Sequence, residues 1–216
     1  MLKAVIMDFD GVVIDTEEVW YDVYAQWLKR EKEYDLKIEE FLLCVGSNYK
    51  SLFHALEEKG IYINHDKFFE DTMEIFLDRS DKLPAKEGTI DFIKEIKNHG
   101  LKLSLATSAK KQKPIKHLTR LGLIDYFDCL ITADDVERIK PFPDLFQKAI
   151  TELKVDNASA VVIEDSNNGL IAANRAGIKT IVVPNKITQY SDFDPYYKKA
   201  DSLKEVSVSN LIDTFN

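Results

Sequence analysis

The chain has 216 residues, 45% of them apolar and 31% charged, enough for one sizeable domain or for a domain carrying a smaller insert. The net charge of −8 disfavours a general nucleic-acid binder, which would carry a basic face. No long uncharged apolar run suggests a membrane span, and the N-terminus meets charge too early for a signal peptide. Two cysteines, Cys44 and Cys129, stand far apart in no metal-type spacing; with no secretory signal they read as free thiols of a cytoplasmic protein.

The chain opens on an apolar strand, Lys3–Met7, and further strands are predicted at 102–106, 129–132, 160–163 and 180–183. Helical patterns lie between them at 88–99, 112–121, 144–153 and 168–176. Gly100, Gly122 and Gly177 each follow a helix, where a left-handed cap favours glycine. This alternation predicts an α/β fold, a Rossmann-like parallel sheet covered by helices on both faces. From Thr16 to Ser80 the alternation stops, and apolar residues recur at helical spacing, as in Val19-Val23-Trp27 and Phe69-Met73-Phe76. The expected organisation is therefore a core of residues 1–15 and 82–216 with an all-helical insert at 16–81. Residues 185–199 read as a surface loop without an assigned role.

The sharpest chemical signal is Asp8-Phe9-Asp10-Gly11, followed by Asp15-Thr16. Alternate residues of a strand share a face, so Asp8 and Asp10 can look toward one site, and Gly11 lets the backbone turn after them. Taken singly, Asp-x-Asp is often only an exposed turn. The second strand ends in Thr107-Ser108, where a hydroxyl and neighbouring N–H groups can bind phosphate, although a helix cap is the plainer reading. Lys140 opens Lys140-Pro141-Phe142-Pro143-Asp144 and would by itself read as a surface lysine. The fourth strand ends in Glu164-Asp165, then Ser166-Asn167-Asn168-Gly169; adjacent buried acids are costly unless a cation offsets them.

In this order, each at the carboxyl end of a predicted strand, the four segments resemble the motifs of the haloacid dehalogenase superfamily. The edge they share is where open α/β sheets bind ligands. The helical insert after the first motif resembles the cap of the superfamily's β-phosphoglucomutase-like, sugar-phosphate phosphatase branch. The resemblance implies a Mg2+-dependent phosphatase acting on a small phosphorylated metabolite, with a sugar phosphate the first expectation. It implies Asp8 as nucleophile, Asp10 as general acid and base, and Thr107, Ser108 and Lys140 around the phosphate. Asp8, Asp165 and the backbone carbonyl of Asp10 would hold the metal, with Glu164 binding it directly or through water.

The same branch contains phosphosugar mutases, in which a His follows the Asp-Thr pair and a cap-loop Arg grips a second phosphate. Here Trp20 stands near the His position, and Gly46-Ser47-Asn48-Tyr49-Lys50 carries no Arg. Lys50 lacks the planar fork of an arginine, so the phosphatase reading leads and the mutase is the alternative. Thr16, Trp20, Lys50 and Lys110 are candidate substrate contacts. A non-catalytic module that kept the fold ranks lower, since every expected catalytic side chain is present. No nucleic-acid or membrane partner is expected, and nothing demands more than a monomer.

Overall fold

The computed structural model describes residues 1–215. Among these, strands β1 (Ala4–Met7), β2 (Lys102–Ala106), β3 (Cys129–Ile131), β4 (Ala160–Glu164), β5 (Lys179–Val182) and β6 (Lys198–Lys199) form one sheet in the order β3-β2-β1-β4-β5-β6. All neighbouring pairs are parallel. β1 lies at the centre, between β2 and β4, and carries Asp8 just past its carboxyl end.

The two-residue period of the strands builds two cores. Val5 and Met7, Leu103 and Leu105, and Val161 and Ile163 face one apolar cluster, while Ala4, Ile6, Ala160 and Val162 face the other. The first cluster is closed by α5 (Thr89–Asn98), α6 (Gln112–Arg120) and α9 (Val208–Thr214), the second by α7 (Asp144–Leu153) and α8 (Asn167–Arg175). Burial on both faces explains why these strands read as continuous apolar runs. Gly100, Gly122 and Gly177 have φ of 69°, 67° and 71°, as their helix-terminating role requires.

Between β1 and α5 the chain forms α1 (Glu17–Lys32), α2 (Ile38–Phe41), α3 (Lys50–Glu57) and α4 (His65–Ser80). These helices have an apolar cluster of their own, with Tyr24, Trp27, Leu28, Phe41, Phe53 and Phe68 at its centre. α1 and α4 lie against each other, with Trp20 stacked on Phe76 at 3.6 Å between ring centroids.

Residues 185–199, read from the sequence as surface loop, contain β6 and begin at a buried Asn185. Two residues are too short a strand to show a period, which is why β6 left no pattern. α9, also absent from the sequence reading, is a short helix capped by the Ser207 hydroxyl, which accepts from the Asn210 N–H. No helix of the described residues is long and apolar enough to cross a membrane.

Candidate active site

The first motif leaves the sheet without breaking its ladder. The Asp8 N–H donates to the Ile163 carbonyl at 3.0 Å, so Asp8 still sits in strand register and is only 2% exposed. The chain then folds back, with the Gly11 N–H donating to the Ile14 carbonyl at 2.7 Å. Gly11 has a φ of 78°, and a Cβ there would lie 2.1 Å from Asp165 Oδ2. Glycine is thus needed twice, for the turn and for the close passage of the fourth motif.

Lys140 ties the motifs together. Its Nζ donates to Asp8 Oδ1 and to Glu164 Oε1, each at 2.6 Å, and its side chain is fully buried. The other oxygen of Glu164 accepts from the Asp165 N–H, the Ser166 N–H and the Ser166 hydroxyl, each at 3.0 Å. Gly169 completes this cradle, since a Cβ there would fall 1.8 Å from Glu164 Oε1. Asp165 Oδ2 accepts from the Asn185 amide at 2.9 Å, which gives the 185–199 segment a place at the site. Lys86 Nζ donates to the Gly11 carbonyl at 2.6 Å and braces the first turn from below.

The charges do not balance. Asp8, Glu164 and Asp165 bring oxygens within 4.8 Å of one another and all three are buried, while Lys140 is bonded to two of them, Asp8 and Glu164. Burial lifts the Asp8 carboxyl to about 7, even against Lys140, with Glu164 and Asp10 adding to the rise. Asp165 is lifted well above the carboxylate range by burial and by Glu164, Glu17 and Asp8. Glu17, in the first turn of α1, is pushed up to about 8 by burial and then by Asp10. For Lys140, burial works against the charge, but Asp8 and Glu164 outweigh it and hold the ammonium above its ordinary value. A cluster of hard oxygens with excess negative charge fits a divalent cation. Both oxygens of Glu164 are already taken, whereas Asp8 and Asp165 each keep one without a protein hydrogen bond among the described residues.

Asp10 is held differently. Its Oδ1 accepts from the Thr16 hydroxyl and from Lys113 Nζ, the latter at 2.5 Å. Thr107 is buried at the end of β2, and its hydroxyl accepts from the Ala109 N–H at 3.1 Å, as a cap would. The Ser108 hydroxyl donates to the Gly46 carbonyl at 2.9 Å. Asp8, Asp10, Thr107 and Ser108 line one cavity of about 590 Å³, roofed by α1, α4 and the 44–49 loop.

Of the four candidate substrate contacts, Trp20 and Lys110 line this cavity. Thr16 is fully buried and spends its hydroxyl on Asp10. Lys50 is exposed at the start of α3 and does not reach the cavity wall, so the charge expected from it is not delivered there. Glu17, Ser47, Lys86, Lys113 and Asn185 were not legible as site residues. Glu17 carried a faint signal beside the first motif, but an acid in a first helical turn is ordinary. Lys113 is one lysine among several in 110–116 and carried none.

Comparison with known proteins agrees with this geometry. The family model described as haloacid dehalogenase-like hydrolase matches residues 5–183. The protein YhcW of Bacillus subtilis is 34% identical over 100% of this chain and 99% of its own length. The phosphorylated carbohydrates phosphatase of Thermotoga maritima is 32% identical, covering 83% of this chain and 84% of that one. Among solved structures, CbbY from Rhodobacter sphaeroides in complex with phosphate superposes with a TM-score of 0.78 at 26% identity, over 98% of this chain and all of that one. β-Phosphoglucomutase from Clostridium difficile reaches 0.82 at 23% identity, over 100% and 98%, a likeness of fold. The chain belongs to the haloacid dehalogenase-like hydrolase family and is an enzyme similar in sequence to phosphatases of that family.

Proposed function

We propose that the protein hydrolyses a small phosphomonoester through a phosphoenzyme formed on Asp8, in a site completed by Mg2+. The observation that carries this reading is the buried cluster of Asp8, Glu164 and Asp165 on Lys140, opening through Asp8 into the cavity that Asp10 and Thr107 also line. In the first step an Asp8 oxygen bonds to phosphorus while the ester P–O bond breaks. Asp10 gives its proton to the departing alcohol oxygen. In the second step Asp10 takes a proton from water, the water oxygen bonds to phosphorus, and the Asp8–phosphorus bond breaks to release phosphate. Thr16 and Lys113 both donate to Asp10 Oδ1, which leaves Oδ2 to carry the proton.

The carboxylates of Asp8 and Asp165 and the backbone carbonyl of Asp10 would hold the ion. When bound, Mg2+ supplies Lewis acidity toward the phosphoryl oxygens. Glu164, with both oxygens engaged, acts as the bracket that fixes Lys140 and the Asp165-Ser166 turn. Lys140, the Thr107 hydroxyl and the backbone N–H of Ser108, whose own hydroxyl is spent on the Gly46 carbonyl, offset the repulsion between Asp8 and the phosphate. Residues 16–81 serve as a cap over a core of 1–15 and 82–216, shielding the site from bulk water. Supporting this, the Ser47 hydroxyl donates to the Lys140 carbonyl at 2.6 Å, and the Asn168 amide to the Val45 carbonyl at 2.8 Å.

A phosphatase is favoured over a mutase because no arginine among the described residues lines the cavity, and of its lysines Lys113 and Lys116 are paired with Asp10 and Asp81, which leaves Lys110 alone to meet a second phosphate. The sugar-phosphate expectation is supported by the Thermotoga relative, a phosphorylated carbohydrates phosphatase. The test is phosphate release from an ester panel with Mg2+, together with acid-quenched mass analysis for phosphate on Asp8. Full turnover in excess chelator would remove the metal from the reading, and phosphate release without any label on Asp8 would remove the phosphoenzyme.

A further inference from the structure

The segment that follows β5 belongs to two places at once. β5 runs beside β4, and the Val183 N–H still donates to the Glu164 carbonyl at 2.7 Å. Two residues later Asn185 is buried against Asp165, and two residues after that Ile187 is buried in the apolar cluster of the helical insert. Among the described residues, the other buried members of that cluster all lie between Tyr24 and Phe68. Ile187 is thus a side chain of the α/β core seated in the interior of the cap.

The turn between the two places is closed on itself. Asn185 Oδ1 accepts from the Ile187 N–H at 2.9 Å and from the Thr188 N–H at 2.8 Å. The Asn185 N–H donates to the Thr188 hydroxyl at 2.9 Å, and the Gln189 N–H to the Asn185 carbonyl at 3.0 Å. Two backbone donors fix Oδ1, so the amide nitrogen must face the other way, and it donates to Asp165 Oδ2 at 2.9 Å. Ile187 and Asp165 are therefore bonded to opposite ends of one planar amide, and a displacement of Ile187 turns the group that orients Asp165. The Lys186 Nζ also meets Glu18 Oε1 of α1 at 2.8 Å, but its side chain is 80% exposed and such a pair contributes little. The apolar seat of Ile187 is the stronger tie to the cap.

We propose that Asn185 is a positioning residue for Asp165, and that the 185–188 turn couples the seating of the cap to the binding of Mg2+. This rests on the reading above of Asp165 as a metal ligand and of residues 16–81 as a cap. With Ile187 seated, the Asn185 amide pins Asp165 Oδ2 and leaves Oδ1, which has no protein hydrogen bond among the described residues, for the ion. A cap that lifts must either expose Ile187 to water or draw the turn after it, and the second course releases Asp165 from its fixed orientation. The coupling is reciprocal, so a carboxylate held by the ion also favours the seated cap.

The test is calorimetric titration of the full chain with Mg2+ alone, with no substrate present and the fold checked by circular dichroism. Asn185→Ala is expected to weaken Mg2+ binding by about tenfold or more. Ile187→Ala, whose side chain carries no polar atom, should weaken it by about fivefold, while Ile187→Val, which keeps most of the apolar seat, should stay within about twofold of wild type. A turn with a purely structural role would lower stability in these variants and leave the affinity alone. Hydrogen exchange reads the reverse direction: saturating Mg2+ should slow exchange of the α1 amides by about threefold or more in wild type and leave it unchanged in Asn185→Ala. Should Asn185→Ala fail to fold, Ile187→Ala decides by itself. Wild-type affinity in Ile187→Ala, or Mg2+-dependent protection of α1 that persists in Asn185→Ala, overturns the coupling and leaves the metal reading standing. A wild-type protein that binds no Mg2+ overturns the metal reading and this inference with it.

Discussion

The floor and the roof of one cavity are built on opposite principles. The floor is Asp8 and Thr107 at the carboxyl ends of β1 and β2, and beneath Asp8 lie Lys140, from the turn before α7, and Glu164-Asp165, at the end of β4, held by bonds of 2.6 to 3.0 Å. The roof sets aromatic and aliphatic side chains of α1 and α4 by stacking and packing, and the two helices are tied on the far side by Trp27 donating to Asp71 and Arg79 to Asp22. A buried charge tolerates little displacement, because an unpaired ion is costly, whereas an apolar wall can exchange one large side chain for another at modest cost. Chemistry therefore sits where geometry is rigid, and choice of substrate where it can drift.

Removing the proposed nucleophile should separate the two regions most sharply. Asp8→Asn is expected to lower phosphate release by at least about a thousandfold while keeping the fold, read by activity and by circular dichroism. Asp10→Asn should cost about a hundredfold or more on esters of alkyl alcohols and clearly less on acetyl phosphate, whose leaving group needs no proton. An equal loss on both would take the acid role from Asp10.

Lys140→Met tests the rigidity of the floor. It leaves Asp8 and Glu164 buried without their ammonium, and denaturant titration should show a loss of about 3–5 kcal/mol in metal-free protein. The pH dependence carries a matching signature. Burial holds the Asp8 carboxyl at about 7 in the folded protein, against an ordinary value of 3.8. The unfolded chain therefore gives up this proton first as pH rises. Metal-free wild type should lose stability relative to Asp8→Asn between about pH 4 and pH 7, with the gap complete above that window. Thermal melts across that range check the sign; a gap that closes with rising pH would contradict it. Replacing Trp20 by Leu should have the smallest effect, about 1 kcal/mol of stability from the lost stack on Phe76, read by denaturant titration.

The parallel sheet was legible because a strand buried on both faces needs an apolar run, which β1 and the first four residues of β4 have and which β2 and β5 interrupt only with a first lysine and with the buried Ser104 and Thr180. Asp8, Asp10, Thr107 and Glu164-Asp165 were legible because each follows directly on such a run, so local sequence fixes the edge of the sheet at which it emerges. Lys140 was found through its prolines and its place in the motif order, not through its charge. Residues 16–80 could be read as helical from their period, yet the place of Phe69, Met73 and Phe76 in a cavity wall could not, since helical spacing shows that side chains share a face and not what that face meets. Which helix faces turn to the cavity depends on how α1 and α4 cross, and that is set by packing between residues far apart in sequence. The same reason hid Lys113 on Asp10, Asn185 on Asp165 and Lys86 under Gly11, contacts that span 103, 20 and 75 positions. It also placed Lys50 outside the cavity, although its loop lines it. The sequence by itself determined the sheet and the acids at its edge, because strand register and turn chemistry act over a few residues. Only the tertiary structure decided how those acids are shared out and what kind of wall faces them, because both depend on long side chains meeting across the fold.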